Sequence, residues 1–137
     1  MKFVRYWLPM IGWMAVIFFL SGRSSVQVAD EPLLNFIFFK TLHVIEYSIL
    51  YILTLRALRQ SMHFKERVSM LVVAFFIVVL YAVTDEIHQL FVPTREGRLR
   101  DVIIDATGAT LSWLLIEKLL PRAPKKLKSW VKNWEIG

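Results

Sequence analysis

The sequence contains no cysteine. That absence excludes disulfides and every thiolate-based metal site. Glycine and proline are scarce, five of each in 137 residues. No low-complexity tract or internal repeat divides the chain, so one domain is expected. Strict apolar–polar alternation is also missing, which argues against a membrane β-barrel. There is no His-Glu-x-x-His pair, no P-loop and no Gly-x-Ser-x-Gly elbow, so no motif assigns a reaction. Acidic residues are outnumbered, 11 against 17 basic.

What the chain has in excess is apolar surface. Hydrophobic residues make up 56% of it, and its mean hydropathy is +0.51. A soluble domain this short cannot bury so much, because small domains leave a large share of their surface exposed. Lipid is the natural solvent for the remainder. The net charge of +6 therefore reads as topology signals and contacts to membrane lipids, and no nucleic acid is expected as a partner.

A helix needs roughly 20 predominantly apolar residues to cross a bilayer. Four stretches qualify, at about 4–20, 33–55, 68–91 and 102–120. The expected fold class is all-α: an integral membrane bundle of four transmembrane helices over residues 1–120, with a basic cytoplasmic tail over 121–137. The first span lacks a small-x-small cleavage site and is expected to be retained. In the tail, Leu127, Trp130, Val131 and Trp134 recur at helical spacing among Lys125, Lys126, Lys128 and Lys132. That pattern predicts a C-terminal basic amphipathic interfacial helix lying on an anionic leaflet.

Orientation follows from lysine and arginine counts. With the N-terminus inside, 12 of the 17 basic residues face the cytoplasm, and the charge balance is +9 inside against −3 outside. Both termini are therefore expected in the cytoplasm of a multi-pass cell-membrane protein.

Ionisable groups inside spans are expensive and each needs a reason. In the second span Lys40, His43 and Tyr47 share one helix face, with Glu46 at its margin. The third span ends on Asp85, Glu86, His88 and Gln89, with Tyr81 one turn earlier. In the fourth, Asp101, Asp105, Gly108 and Ser112 form a narrow polar and small stripe of the kind that faces other helices. Alternating helix directions bring all of these to the same, outer side, where the loops add Ser21, Arg23, Ser24, Ser25, Arg95 and Arg98. Packing offers rival accounts. Lys40 can snorkel to headgroups, Asp105 can pair with Lys40 or an arginine, Arg95 and Asp101 can clamp their loop, and Asp85 and Glu86 can cap an exposed helix end.

Three segments in order carry a family resemblance. Lys40-Thr-Leu-His43-Val-Ile-Glu46-Tyr47 resembles the K-x-x-H-x-x-x-Y segment of VanZ-like membrane proteins. Asp85-Glu86-Ile87-His88-Gln89-Leu90-Phe91-Val92-Pro93-Thr94-Arg95 is similar to their D-E-x-x-Q-x-F-x-P-G-R segment, with Thr94 where the family often has glycine. Asp101-Val-Ile-Ile-Asp105-Ala-Thr-Gly108 resembles the D-x-x-x-N/D-x-x-G that follows. Ser21 and the Ser24–Ser25 pair are similar to the serine-containing end of the family's first helix. The resemblance implies a bacterial multi-pass protein of the cell envelope, in a family whose founding member is associated with low-level resistance to the glycopeptide teicoplanin.

Two roles are open for the cluster. As a binding site, Lys40, His43, Glu46, Tyr47, Asp85, Glu86, Gln89, Arg95, Asp101 and Asp105 would form an outward-facing cleft. It would take an anionic ligand such as an undecaprenyl-linked cell-wall precursor or a glycopeptide, with Arg23, Lys40, Arg95 and Arg98 holding the anion. As a membrane enzyme acting on a lipid phosphate, its candidate catalytic residues are His43, Glu46, Asp85, Glu86 and His88. A divalent cation is a possible cofactor, held by Asp85, Glu86, Asp101 and Asp105. A transporter ranks lowest, because four short helices enclose little and the cluster lies away from the midplane.

Overall fold

The computed structural model describes residues 2–23, 30–93, 95 and 97–134. Ser24, Ser25 and Thr94, singled out above, lie outside the described residues. Among the described residues five α-helices follow one another: α1 (Lys2–Ser21), α2 (Pro32–Ser61), α3 (Arg67–Gln89), α4 (Leu99–Leu114) and α5 (Lys125–Asn133). A π-type turn (Leu115–Leu119) and a 3-10 turn (Leu120–Arg122) connect α4 to α5. The chain is all-α, with no strand among the described residues.

Local chemistry sets several boundaries. Pro32 opens α2, where its missing N–H and fixed φ cost nothing. The helix then runs past the expected position 55 to Ser61, because Arg56, Leu58, Arg59 and Gln60 are good helix formers whatever their polarity. It stops where Met62 turns extended. Helix α3 ends at Gln89, four residues before Pro93.

Among the described residues three helices, α1, α2 and α3, are long and apolar enough to cross a membrane. The expected fourth span differs from this. Its regular α-helix begins earlier, at Leu99, and is only 16 residues long. Pro121 has no N–H to give to the carbonyl of Glu117, and its ring crowds that carbonyl. The helical ladder widens over Leu115–Leu119 before reaching it.

Helix α2 is the hub, packing on α1, α3 and α4. Tyr47, Leu50, Tyr51, Leu55 and Leu58 are its fully buried face, closed by Ile17 from α1, Leu71 and Val78 from α3, and Ala109 from α4. Half-buried polar bonds tie the periphery down. Tyr81 donates to the Met14 carbonyl at 2.6 Å, and the Trp13 indole donates to the Glu46 carbonyl at 2.9 Å. Outside this core Phe19, Phe76, Leu80 and Ile103 are exposed. Such a belt of large apolar side chains suits acyl chains and not water.

Candidate functional site

Helices α2 and α4 cross closely because Gly108 has no side chain. A Cβ there would fall on the Val44 carbonyl and the Ser48 backbone nitrogen. Ser48 fills the seam by donating to the Gly108 carbonyl at 2.9 Å, and Ser112 donates to the Ser48 carbonyl at 3.1 Å. One turn further along, the same two faces present their ionisable groups to each other. His43 Nδ1 lies 3.0 Å from Asp105 Oδ1, and Lys40 Nζ lies 2.9 Å from Asp101 Oδ2. Arg100 also reaches Asp101 Oδ1, at 3.3 Å, while stacking over Phe36.

The expected pairings are corrected by these distances. Asp105 goes to His43, not to Lys40 or an arginine. Asp101 goes to Lys40 and Arg100, not to Arg95. Arg95 instead donates from Nε to the Arg23 carbonyl at 3.0 Å, tying the loop after α3 to the end of α1. The reason is register. Rotation and depth place each α4 carboxylate opposite the α2 group at the same height, and Arg95 lies beyond their reach in a loop.

The α3 carboxylates are not caps on an exposed helix end, since Asp85 and Glu86 are both buried. Ser21 donates to Asp85 Oδ2 at 2.8 Å and Gln89 Nε2 donates to the same oxygen at 3.2 Å. Glu86 Oε2 accepts the Arg98 backbone N–H at 2.9 Å, which closes the α3–α4 hairpin. Gly97 makes that closure possible, because a Cβ there would strike the Glu86 carbonyl and Leu90. His88 stacks on Phe18 with ring centroids 3.9 Å apart. It is a packing element between α3 and α1, and no signal in the apolar run of α1 marked Phe18 as its partner.

The proposed metal ligands therefore do not assemble. Asp85, Glu86, Asp101 and Asp105 each turn to a different partner. Among the described residues no group of three histidine or acidic side chains is arranged to hold a metal ion. A divalent cation bound by oxygen needs about six ligands converging on one point, and this donor set does not fit one.

What the geometry does build is a small cleft, about 200 Å³, between α1, α2 and the loop after α3. Its polar lining is Ser21, Arg23, His43, Glu46 and Arg95, and its apolar lining includes Leu20, Phe39 and Leu42. Of the expected binding residues, His43, Glu46 and Arg95 line the cleft directly. Asp105 stands behind His43, and Asp85 stands behind Ser21. Lys40, Glu86, Gln89 and Asp101 are engaged in the surrounding bonds. Tyr47 is fully buried beneath, stacked on His43 with centroids 6.4 Å apart. Its hydroxyl, Asp85 Oδ1 and Asp105 Oδ2 are sealed from solvent with no partner among the described residues. Buried polar atoms in that condition demand a hydrogen-bonding neighbour.

The ordered buried groups of α2, α3 and α4 are the segments on which a family resemblance rested, and residues 6–120 match the VanZ/LLP1 family. The chain belongs to the VanZ/LLP1 family. Among curated proteins and among solved structures, nothing matches it. The family match ends at Leu120, so α5 lies beyond what this VanZ/LLP1 chain shares with the family.

Proposed function

We propose that this VanZ/LLP1 protein is a cell-envelope membrane protein that recognises an anionic amphiphile in the cleft between α1 and α2. In this reading α4 and its terminal turns form a fourth crossing, both termini are cytoplasmic, and the cleft opens outward. The ligand carries a phosphate or carboxylate on an apolar chain, as an undecaprenyl-linked precursor or a lipid-bearing glycopeptide such as teicoplanin does. Holding either would alter precursor display or antibiotic access and so contribute to resistance.

One observation carries the reading. Two arginine-bearing segments, at Arg23 and Arg95, are bonded to each other along a cleft that they line together with apolar Leu20, Phe39 and Leu42. Guanidinium groups grip phosphate through paired N–H donors, and Leu20, Phe39 and Leu42 offer a path for a chain. The buried pairs His43–Asp105 and Ser21–Asp85 hold the walls in position and do not themselves need to touch the ligand.

The test is binding in nanodiscs, with undecaprenyl phosphate, undecaprenol and teicoplanin as separate probes. Undecaprenyl phosphate is expected to bind at least about tenfold more tightly than undecaprenol. Arg95→Gln should abolish that preference, since charge-assisted bonds to phosphate are the strong ones. Teicoplanin binding that also depends on Arg95 would assign the glycopeptide as ligand. Equal affinity for all three probes, unchanged by Arg95→Gln, would overturn the proposal.

A metal-free enzyme is a second reading, favoured by the His43–Asp105 pair. A carboxylate on Nδ1 holds the proton there and leaves Nε2 as the acceptor on the cleft side. In that case His43→Asn should stop phosphate release from a lipid phosphate, while binding persists.

A further inference from the structure

The end of the bundle opposite the carboxylates carries a second, differently built site. Two hollows meet there. One, of about 400 Å³, is an apolar slot between Ile52 and Leu115 on one side and Leu127 and Trp130 of α5 on the other. The other, of about 650 Å³, carries Arg59, Arg67, Lys128 and Lys132 on its walls. Ile116, Leu120 and Val131 line both, so the slot runs into the basic hollow. Among the described residues no acid lines either one, while Glu66 lines an adjoining hollow together with Arg59 and Arg67.

Helix α5 forms one wall of both hollows, yet none of its residues is fully buried. At nine residues it is too short to hold a helix unaided in water. Pro121 and Pro124 bend the chain so that α5 turns back against the bundle, and Val131 packs on the core. The apolar faces of Leu127 and Trp130 remain about half exposed over the slot. Lys128 and Lys132, four residues apart on one face, stand across the hollow from Arg59 and Arg67 on α2 and α3.

We propose that this is a binding site for one anionic phospholipid, with its phosphate among Arg59, Arg67, Lys128 and Lys132 and an acyl chain in the slot under α5. The charge argues for that occupant. Arg67, Lys128 and Lys132 beside Arg59 outnumber the acid of the adjoining hollow, Glu66. That excess is complementary to a lipid of net negative charge, and a zwitterionic headgroup would bring its own cation into the same hollow. The apolar slot argues against a small free anion, which would leave it empty. The site is independent of the cleft at the other end, and its α5 wall lies outside the family match.

Native mass spectrometry of the full-length protein, titrated with phosphatidylglycerol or with phosphatidylcholine, tests this. One saturable phosphatidylglycerol adduct is expected, binding about tenfold or more tightly than phosphatidylcholine. Lys128→Gln with Lys132→Gln should reduce it to the phosphatidylcholine level. Arg67→Gln should do the same, although Arg67 lies far from α5 in sequence. Lys125→Gln with Lys126→Gln removes equal charge from residues lining neither hollow and should leave the adduct intact, as should Arg95→Gln in the cleft. If both lysine pairs weaken binding equally, general surface attraction replaces the site and the proposal falls. It falls equally if the two lipids bind alike, or if the hollow is filled by a second copy, seen as a dimer that the same variants dissociate.

Discussion

Asp105 and Asp101 sit four residues apart on one helix and face the same neighbour, yet their situations differ. Asp105 has no solvent exposure, and His43 is the one ionisable group in bonding contact with it among the described residues. Asp101 is buried at 5% exposure but is held by both Lys40 and Arg100. Removing a sole partner strands a buried carboxylate, which costs about 3–5 kcal/mol. His43→Leu should therefore destabilise strongly. Adding Asp105→Leu should recover most of the loss, because an apolar pair of similar volume replaces an ion pair with little penalty. Lys40→Met leaves Arg100 on Asp101 and should cost only about 1 kcal/mol, the range of a partly exposed pair. Reversible unfolding in mixed micelles measures all three. A His43→Leu variant no less stable than Lys40→Met would show that the His43–Asp105 contact carries no weight.

At the scale of elements, the α2–α4 seam decides where those side chains meet. Gly108 sets its closeness and Ser48 and Ser112 stitch it. Gly108→Ala would drive a methyl into the Val44 carbonyl, backbone that cannot swing aside. The expected loss is about 1–3 kcal/mol, typical of overpacking, with ligand binding in the cleft lost as His43 and Asp105 separate. Ser48→Ala and Ser112→Ala should each cost only about 0.6 kcal/mol, the average for interhelical hydrogen bonds in membranes, and leave binding in place. Thermal unfolding in detergent alongside the nanodisc assay separates the two effects. If Gly108→Ala binds as the parent does, the seam does not position the cleft.

For the whole molecule, charge asymmetry is the strongest predictor of how it sits in the bilayer. In the proposed topology 12 of the 17 basic residues lie on one side, and the positive-inside rule then predicts α5 in the cytoplasm and the cleft outside. The absence of cysteine makes a clean test possible. A cysteine at Ser129 on α5 should react with an impermeant thiol reagent only after the membrane is opened. One at Phe91, which is 80% exposed beside the cleft end, should react in intact cells. The reverse pattern would invert the protein and move the cleft to the cytoplasm.

The sequence by itself determined that this is a helical membrane protein and which end of each helix carries the costly residues. Both follow from local quantities: the length of apolar runs, the period of 3.6 residues, and the reversal of direction at each short loop. It also located the small-residue stripe of Asp101, Asp105, Gly108 and Ser112. Only the tertiary structure decided the partners. It joined His43 to Asp105, gave Glu86 to the Arg98 amide and Arg95 to the Arg23 carbonyl, and dispersed the carboxylates that an ordered motif made look like one metal site. It also broke the regular helix before Pro121, where apolar composition alone predicted an unbroken span. The reason is geometric. Periodicity fixes which residues share a face, but not how far each helix is rotated or slid against its neighbour, and a slide of three residues, about 4.5 Å at 1.5 Å per residue, exchanges one partner for the next.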